Sequence, residues 1–160
     1  MTIMSLDDQI QLTPQPLDAA AAVAFVTDSR AGGINVFLGT TRAETASDGR
    51  ELIALDYEAY EQMAGEQLRD LARRAREQWP IVKLALLHRT GRVAIGQPSV
   101  LIAVSTPHRG DAFAACRWLI DTLKKDAAIW KKEAWADGSG TWVHPRRGPN
   151  DETRIRMKDQ

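Results

Sequence analysis

Four lysines lie within nine positions in the C-terminal third of the chain, as two pairs on either side of a short apolar stretch. The pairs are Lys124 with Lys125 and Lys131 with Lys132, and the second pair directly follows Trp130. A lysine close to apolar groups and other cations loses part of its preference for the charged form, so it can serve as a base, a nucleophile or a proton donor. The alternative interpretation is a solvated basic face.

A second candidate site is the sequence GTTR, residues 39–42, which combines a glycine, two hydroxyls and a guanidinium at the end of a predicted strand. Arg42 offers a planar fork of N–H donors, and Gly39 lets the backbone approach a ligand closely. This composition is suited to an oxyanion. The competing interpretation is a turn with a surface arginine.

A third candidate site is the segment 105–113, which joins a predicted buried strand to a long predicted helix. A helix start presents free backbone N–H groups and the positive end of its dipole, and both favour an anion such as phosphate. His108 and Arg109 would add side-chain donors there. Alternatively, His108 closes the loop and Arg109 is solvated.

The elements that carry these residues follow from the hydrophobic periodicity. Residues 34–38 and 52–59 alternate as strands do, whereas the apolar residues from Tyr60 to Trp79 have helical spacing. Three more predicted strands precede the helix that begins in segment 105–113, and two short strands follow it. The order predicts an α+β fold, with a mainly antiparallel sheet and helices on one face.

The composition restricts the classes of function. The chain has 160 residues with 44% hydrophobic content, and its 21 basic and 21 acidic residues cancel. We expect one catalytic α+β domain over residues 1–143 and a polar tail over residues 144–160. Zero net charge gives no general attraction to nucleic acid or membrane, and the early apolar run AAAAVAFV is too short to span one. A soluble, cytoplasmic protein is expected.

Cys116 is the only cysteine, so an internal disulfide and a multi-cysteine metal site are excluded. It falls on the apolar stripe of the last long helix, where a thiol is expected to be a core residue. The three histidines have no metal-ligand spacing. We therefore expect no metal and no cofactor, and any sulfur chemistry would need sulfur from another molecule.

Taken together and in order, several segments resemble the large, catalytic subunit of molybdopterin synthase. The resemblance covers about residues 32–143. One departure is Ala128, where members of that family usually carry a proline. The segments are FLGTTR (37–42), LDYEAYEQMA (55–64), WPIVKLALLHRTGRVAIGQPSVLIAVSTPHR (79–109) and DTLKKDAAIWKKE (121–133).

The resemblance implies an α/β hammerhead fold with a ferredoxin-like portion. It also implies a sulfurtransferase that converts cyclic pyranopterin monophosphate to molybdopterin. The sulfur would come, one atom at a time, from the thiocarboxylated C-terminal glycine of a small ubiquitin-like sulfur-carrier subunit. The expected assembly is a homodimer within a heterotetramer, without nucleic acid or membrane.

By matching positions, the resemblance also implies roles for individual residues. Lys124 and Lys131 are assigned proton transfer and stabilisation of developing negative charge. Phe37 would line the pocket or contact the tail of the partner, and ordinary packing is its alternative. The substrate-binding residues implied are Thr40, Thr41, Arg42, His108, Arg109, Lys132 and Glu133.

A function of another class is a non-catalytic ferredoxin-like module that binds a phosphorylated metabolite or RNA. Such a module would explain the basic cluster equally well, but it would need no thiocarboxylated partner. An RNA-binding surface would show exposed aromatics interleaved with bases on adjacent strands, and the sequence pattern does not indicate one.

Overall fold

A computed structural model describes residues 1–143, and the tail expected at 144–160 lies outside the described residues. Within residues 1–143, no helix is both long and apolar enough to cross a membrane. The helices are α1 (Ala19–Val26), α2 (Glu61–Gln78) and α3 (Arg109–Asp126). The strands are β1 (Thr2–Met4), β2 (Asp8–Thr13), β3 (Gly33–Thr40), β4 (Leu52–Ala59), β5 (Lys83–Arg89), β6 (Gly91–Ala94), β7 (Pro98–Thr106), β8 (Ile129–Trp135) and β9 (Gly140–Val143).

The strands form two sheets. The first has five strands in the order β1-β2-β5-β7-β3, and only the β2–β5 pair is parallel. The second has four antiparallel strands in the order β6-β4-β8-β9. The mainly antiparallel α+β architecture predicted from the order of elements is confirmed.

The central pair β5 and β7 is buried on both faces. Its strands are nearly continuous apolar runs, as expected for strands covered on both sides. Leu84 and Leu86 face α2 and α3 in the main core, whereas Ala85 and Leu87 face α1 in a second cluster. The two long helices therefore share one face as expected, but α1 lies on the opposite face, so the prediction of helices on one face holds only for α2 and α3.

Two N-terminal strands were not predicted from the sequence. β2 lies between β1 and β5, with Ile10 and Leu12 in the main core. Gln9 and Gln11 point to the other face, where they line an open pocket of about 160 Å³ beside α1. Because β2 is short and half of its side chains are polar, it gave too weak an alternation to be recognised.

Both long helices bury one apolar stripe. In α3, the buried set includes Cys116, which confirms its assignment to the core. Burial raises the pKa of the Cys116 thiol to about 11, so the thiolate is scarce at neutral pH. Arg76 of α2 donates to the Asp8 carboxylate at 2.6 Å and to the Ile81 carbonyl at 2.8 Å, which ties α2 to the start of β2.

The two sheets meet at an aromatic contact between Tyr57 of β4 and His88 of β5. The ring centroids are 5.1 Å apart in an edge-on arrangement. His88 is buried and its Nδ1 lies 2.8 Å from the Arg89 carbonyl oxygen, which implies that Nδ1 carries the proton. Burial lowers the pKa of His88 to about 4, so the imidazole is neutral at physiological pH.

The buried histidine predicts acid sensitivity. The unfolded chain takes up this proton near pH 6.5 and the folded chain only near pH 4, so stability falls as the pH decreases through this window. The loss attributable to His88 is about 3 kcal/mol, since one pKa unit corresponds to about 1.4 kcal/mol. Urea unfolding at pH 7 and pH 4 should show a smaller loss in His88→Gln than in the wild type. His108→Gln, at an exposed position, should keep the full loss; equal pH dependence in all three proteins would contradict this.

Candidate active site

The GTTR segment is held by a buried threonine. Thr41 donates from its N–H to the Gln97 carbonyl at 3.1 Å and from its hydroxyl to the Val93 carbonyl at 3.4 Å. It is only 2% exposed, so its hydroxyl is turned away from solvent. Thr40 and Arg42 are exposed on either side of it. The anchored backbone therefore presents the Thr40 hydroxyl and the Arg42 guanidinium, which are suited to an anion.

Helix α3 runs beside β3 in the same direction. Its first residue, Arg109, lies against Gly33, because a Cβ added to Gly33 would lie 2.8 Å from the Arg109 Cα. Two turns later, the Cys116 thiol lies beside the Phe37 backbone. The last turn, which carries the exposed Lys124, consequently lies at the far end of β3, on the side of the GTTR segment.

The connection from α3 to β8 places the second pair of lysines. It consists of Ala127 and Ala128, and the Ala128 N–H donates to the side-chain oxygen of Gln67 on α2 at 2.6 Å. A proline has no N–H and could not make this bond. In this chain, the hydrogen bond ties the connection between α3 and β8 to α2.

Lys131 is linked to the GTTR segment through side chains of the sheets. It lies opposite Tyr57 in the β4–β8 register. The Tyr57 hydroxyl interacts with the Ser99 hydroxyl, and burial raises the pKa of Tyr57, so the phenol stays neutral. Ser99 in turn donates to the Gly39 carbonyl at 3.3 Å. The pairing of Lys131 with Tyr57, the interaction of Tyr57 with Ser99 and the hydrogen bond from Ser99 to Gly39 thus connect β8 with the segment that carries Arg42.

Lys131 and Lys132 point to opposite faces of the second sheet, because successive residues of a strand alternate. This confirms the geometry expected for an extended segment. Lys132 lies opposite Asp56 and Trp142, and its Nζ lies 5.7 Å from the centre of the Trp142 ring. Glu133 shares the face of Lys131. One pocket within a single chain can therefore include Lys131 and Glu133, whereas Lys132 faces another surface.

His108 and Arg109 are exposed at the opposite end of the molecule from Lys124. His108 precedes the first residue of α3, and its carbonyl accepts a hydrogen bond from the Thr106 hydroxyl at 2.7 Å. At 1.5 Å per residue, Arg109 and Lys124 are about 22 Å apart along α3. The structure thus brings Arg42, Lys124 and Lys131 to one end, but it leaves His108 and Arg109 at the other.

Phe37 lies on the core side of β3. It is half-buried and packs against the main core, which is the ordinary packing that the sequence left open as its alternative. A Cβ on Gly39 would lie 3.4 Å from a Phe37 ring carbon, so the ring lies directly beneath the start of the GTTR segment. A role as pocket wall stays a prediction.

Tyr57, Ser99 and Gln67 support the site and were not predicted. Ser99 had a signal in the sequence, since it is a hydroxyl within an otherwise apolar strand. Gln67 had none, because a polar residue on an amphipathic helix is ordinarily solvated. Among residues 1–143, no group of three or more His, Cys, Asp or Glu side chains could hold a metal ion.

Known proteins of one family are similar to this chain over most of its length. The family described as MoaE protein matches residues 12–126. The molybdopterin synthase catalytic subunit of Nostoc sp. is 45% identical over 139 residues, which are 86% of this chain and 83% of that protein. The crystal structure of molybdopterin synthase from Staphylococcus aureus has a TM-score of 0.79 and 32% identity, covering 89% of this chain and 99% of that one.

A third comparison supports the fold alone. A complex of subunits 1 and 2 of the molybdopterin-converting factor from Helicobacter pylori contains a chain that is 23% identical to this one. The TM-score is 0.69, and the match covers 88% of this chain and 93% of that one.

Gly39 gives a test of how tightly the GTTR segment is packed. An added Cβ would lie 2.5 Å from Val100 Cγ1, so we expect Gly39→Ala to lower the free energy of unfolding by about 1–3 kcal/mol. Gly110→Ala is the matched control, because its added Cβ would meet nothing within 4 Å. Denaturant unfolding measures both variants. An unchanged Gly39→Ala protein would show that the turn can shift freely.

Proposed function

The chain belongs to the MoaE protein family of molybdopterin synthase catalytic subunits, and from this premise we propose that it transfers sulfur to cyclic pyranopterin monophosphate. The product would be molybdopterin. The sulfur would come from the thiocarboxylated C-terminal glycine of a small ubiquitin-like subunit. The observation that carries the proposal is the grouping of Arg42, Lys124 and Lys131 at one end of the domain.

The three cations match the charges of this reaction. The substrate carries a phosphate and the thiocarboxylate carries a negative charge, so both reactants are anions that would repel each other in water. Arg42 has the planar fork that suits the phosphate and pterin oxygens. Lys124 and Lys131 approach from a helix end and a strand, and they would stabilise the charge that develops when the sulfur attacks.

The group transfer has two parts for each sulfur. The thiocarboxylate sulfur forms a bond to a substrate carbon while a carbon–oxygen bond at that carbon breaks, and the leaving oxygen takes a proton; the sulfur is then joined both to the substrate and to the tail's carbonyl carbon. Water cleaves the bond between sulfur and that carbonyl carbon, which returns the tail as a carboxylate and leaves the sulfur on the substrate. A lysine on each side could supply and remove the protons of these steps.

The chain itself is a poor source of the sulfur. Cys116 is its only cysteine, it is 2% exposed, and burial raises the pKa of its thiol to about 11. A nucleophilic or sulfur-carrying cysteine needs the thiolate and access to its reaction partner. A separate carrier subunit supplies what this thiol cannot.

His108 and Arg109 enter the proposal through a second copy of the chain. They are about 22 Å along α3 from Lys124, which is too far for one small substrate to contact both groups within one chain. We expect a homodimer in which these two residues of one copy serve the site of the other, with a small subunit bound to each copy. Thr40, Lys132 and Glu133 remain predicted substrate contacts, with Lys132 on the opposite face of the second sheet from Lys131. The backbone N–H and carbonyl of the buried Thr41 are both hydrogen-bonded within the fold, so Thr41 would act by holding Thr40 and Arg42 in place.

Lys131 is the most direct test of the chemistry. We expect Lys131→Ala to lower single-turnover formation of the dithiolene product at least about 100-fold, because proton transfer by a positioned group contributes this much. Lys124→Ala should behave similarly. Lys125→Ala is the matched control, since Lys125 is an exposed lysine of the same helical turn, and it should retain near-normal turnover. Normal turnover by folded Lys131→Ala, with purified thiocarboxylated partner, would exclude the assignment.

The origin of the sulfur is tested by Cys116→Ala. Turnover with the thiocarboxylated partner should stay within about twofold of the wild type, because a buried thiol of raised pKa takes no part in the transfer. Thermal unfolding of the same variant reports the packing cost separately. A folded Cys116→Ala protein that binds its partner but forms no dithiolene would contradict the separate-carrier mechanism.

A further inference from the structure

The chain that follows Arg42 folds back on itself as a short hairpin, residues 44–52. The Leu52 N–H donates to the Glu44 carbonyl at 2.8 Å, which closes the hairpin two residues after Arg42. Most of its side chains are exposed, and none of residues 44–51 belongs to either buried cluster of the core. A segment with so little apolar packing depends on polar contacts to keep its position. We name this segment the 44–52 hairpin.

Arg50 fastens the 44–52 hairpin to the turn between β8 and β9. Its Nη1 donates to the Ser139 hydroxyl of that turn at 2.9 Å, and its Cζ lies over the Trp135 ring, 4.8 Å from the ring centre. Within the hairpin, its Nε donates to the Asp48 carboxylate at 2.8 Å. One side chain thus makes a charge-assisted hydrogen bond inside the hairpin, and a hydrogen bond and a cation–π contact to the second sheet and its turn.

Arg50 lies on the face of the second sheet that carries candidate site residues. Alternation along β8 puts Trp135, the ring beneath Arg50, on the same face as Lys131 and Glu133. Glu133 is close enough for its carboxylate to act on the charge of the Arg50 guanidinium. The residue that fastens the hairpin is therefore a neighbour of the candidate site.

The Arg42 side chain has no anchor of its own. Within residues 1–143, no hydrogen bond or ion pair holds its guanidinium, so the backbone on either side sets its position. Thr41 anchors the backbone directly before Arg42, since its N–H and its carbonyl are both hydrogen-bonded. After Arg42, the chain leads into the 44–52 hairpin, whose position depends on Arg50.

We propose that Arg50 is a positioning residue: by fastening the 44–52 hairpin to the β8–β9 turn, it holds the Arg42 guanidinium where the anionic group of the substrate binds. Without Arg50, Thr41 would be the nearest firm anchor, and the guanidinium would occupy more positions. Ordering it on binding would then cost more free energy, so the substrate would bind less tightly. The role in the reaction rests on the proposed function, whereas the fastening itself does not.

Hydrogen exchange measured by NMR tests the fastening without any activity measurement. The Ala136 N–H donates to the Glu51 carbonyl at 2.9 Å, across the contact between turn and hairpin. Its exchange should be at least about fivefold faster in Arg50→Ala, because the contacts of the guanidinium with the second sheet are lost. Arg30→Ala is the matched control, since Arg30 pairs with Asp28 at the same spacing of two residues and its ion pairs lie outside the second sheet. Unchanged exchange in Arg50→Ala would overturn the fastening.

Steady-state kinetics with excess thiocarboxylated small subunit test the role in the reaction. Arg50→Ala should raise KM for cyclic pyranopterin monophosphate about tenfold and leave kcat within about twofold, because binding lost equally from the ground and transition states changes KM alone. Arg50→Lys should recover part of the loss, since its ammonium can stay over Trp135 but cannot bond to Asp48 and Ser139 together. Arg30→Ala should keep both constants. An unchanged KM in Arg50→Ala, with a fully active wild type, would refute the positioning role.

A double substitution separates positioning from direct contact with the substrate. If Arg50 acts through Arg42, then Arg42→Ala alone and Arg42→Ala combined with Arg50→Ala should have the same KM within about twofold. Ser139→Ala, which keeps the guanidinium but removes its partner in the turn, should also raise KM. A further tenfold rise in the double variant, with normal KM in Ser139→Ala, would show direct contact and overturn the proposal. A wild type that forms no dithiolene product would instead refute the proposed function, and with it the role of Arg50 in the reaction.

Discussion

The antiparallel pair of β5 and β7 is apolar on both faces, and the other elements are arranged by the need to cover it. α2 and α3 cover one face and α1 covers the other, while β2 and β3 continue the sheet at its two edges. This burial makes the strands and α3 a rigid frame. The cationic side chains lie where those elements end, so their separations are set by the lengths of β3 and α3.

Much of the fold followed from periodicity. The helix over residues 61–78 was clear because its apolar residues keep helical spacing up to Pro80, and β8 was expected to direct Lys131 and Lys132 to opposite faces. β1 and β2 were missed because their alternation is short. The position of α1 on the opposite face was missed because a fully apolar strand does not indicate which face each helix covers.

The sequence suggested residues for the candidate site but not how they are arranged in space. Segment 39–42 lies at the end of β3 and segment 105–113 at the end of β7. Because β3 and β7 are antiparallel, the two segments lie at opposite ends of β3, although the sequence indicated an anion site at each. Sequence patterns identify the end of an element, and the pairing register decides which ends meet. The burial of Thr41 was equally hidden, since a threonine beside an arginine in a turn is usually exposed.

The hydrogen bond from Ala128 to Gln67 couples two positions that lie 61 residues apart in the chain. A proline at position 128 would stiffen the connection between α3 and β8 through its ring, but it would offer no N–H to the side-chain oxygen of Gln67. With alanine, this connection depends on the hydrogen bond to Gln67. Replacing Ala128 by proline while keeping Gln67 would leave the half-buried side-chain oxygen of Gln67 without this donor, so the effects of substitutions at the two positions on stability should not be additive.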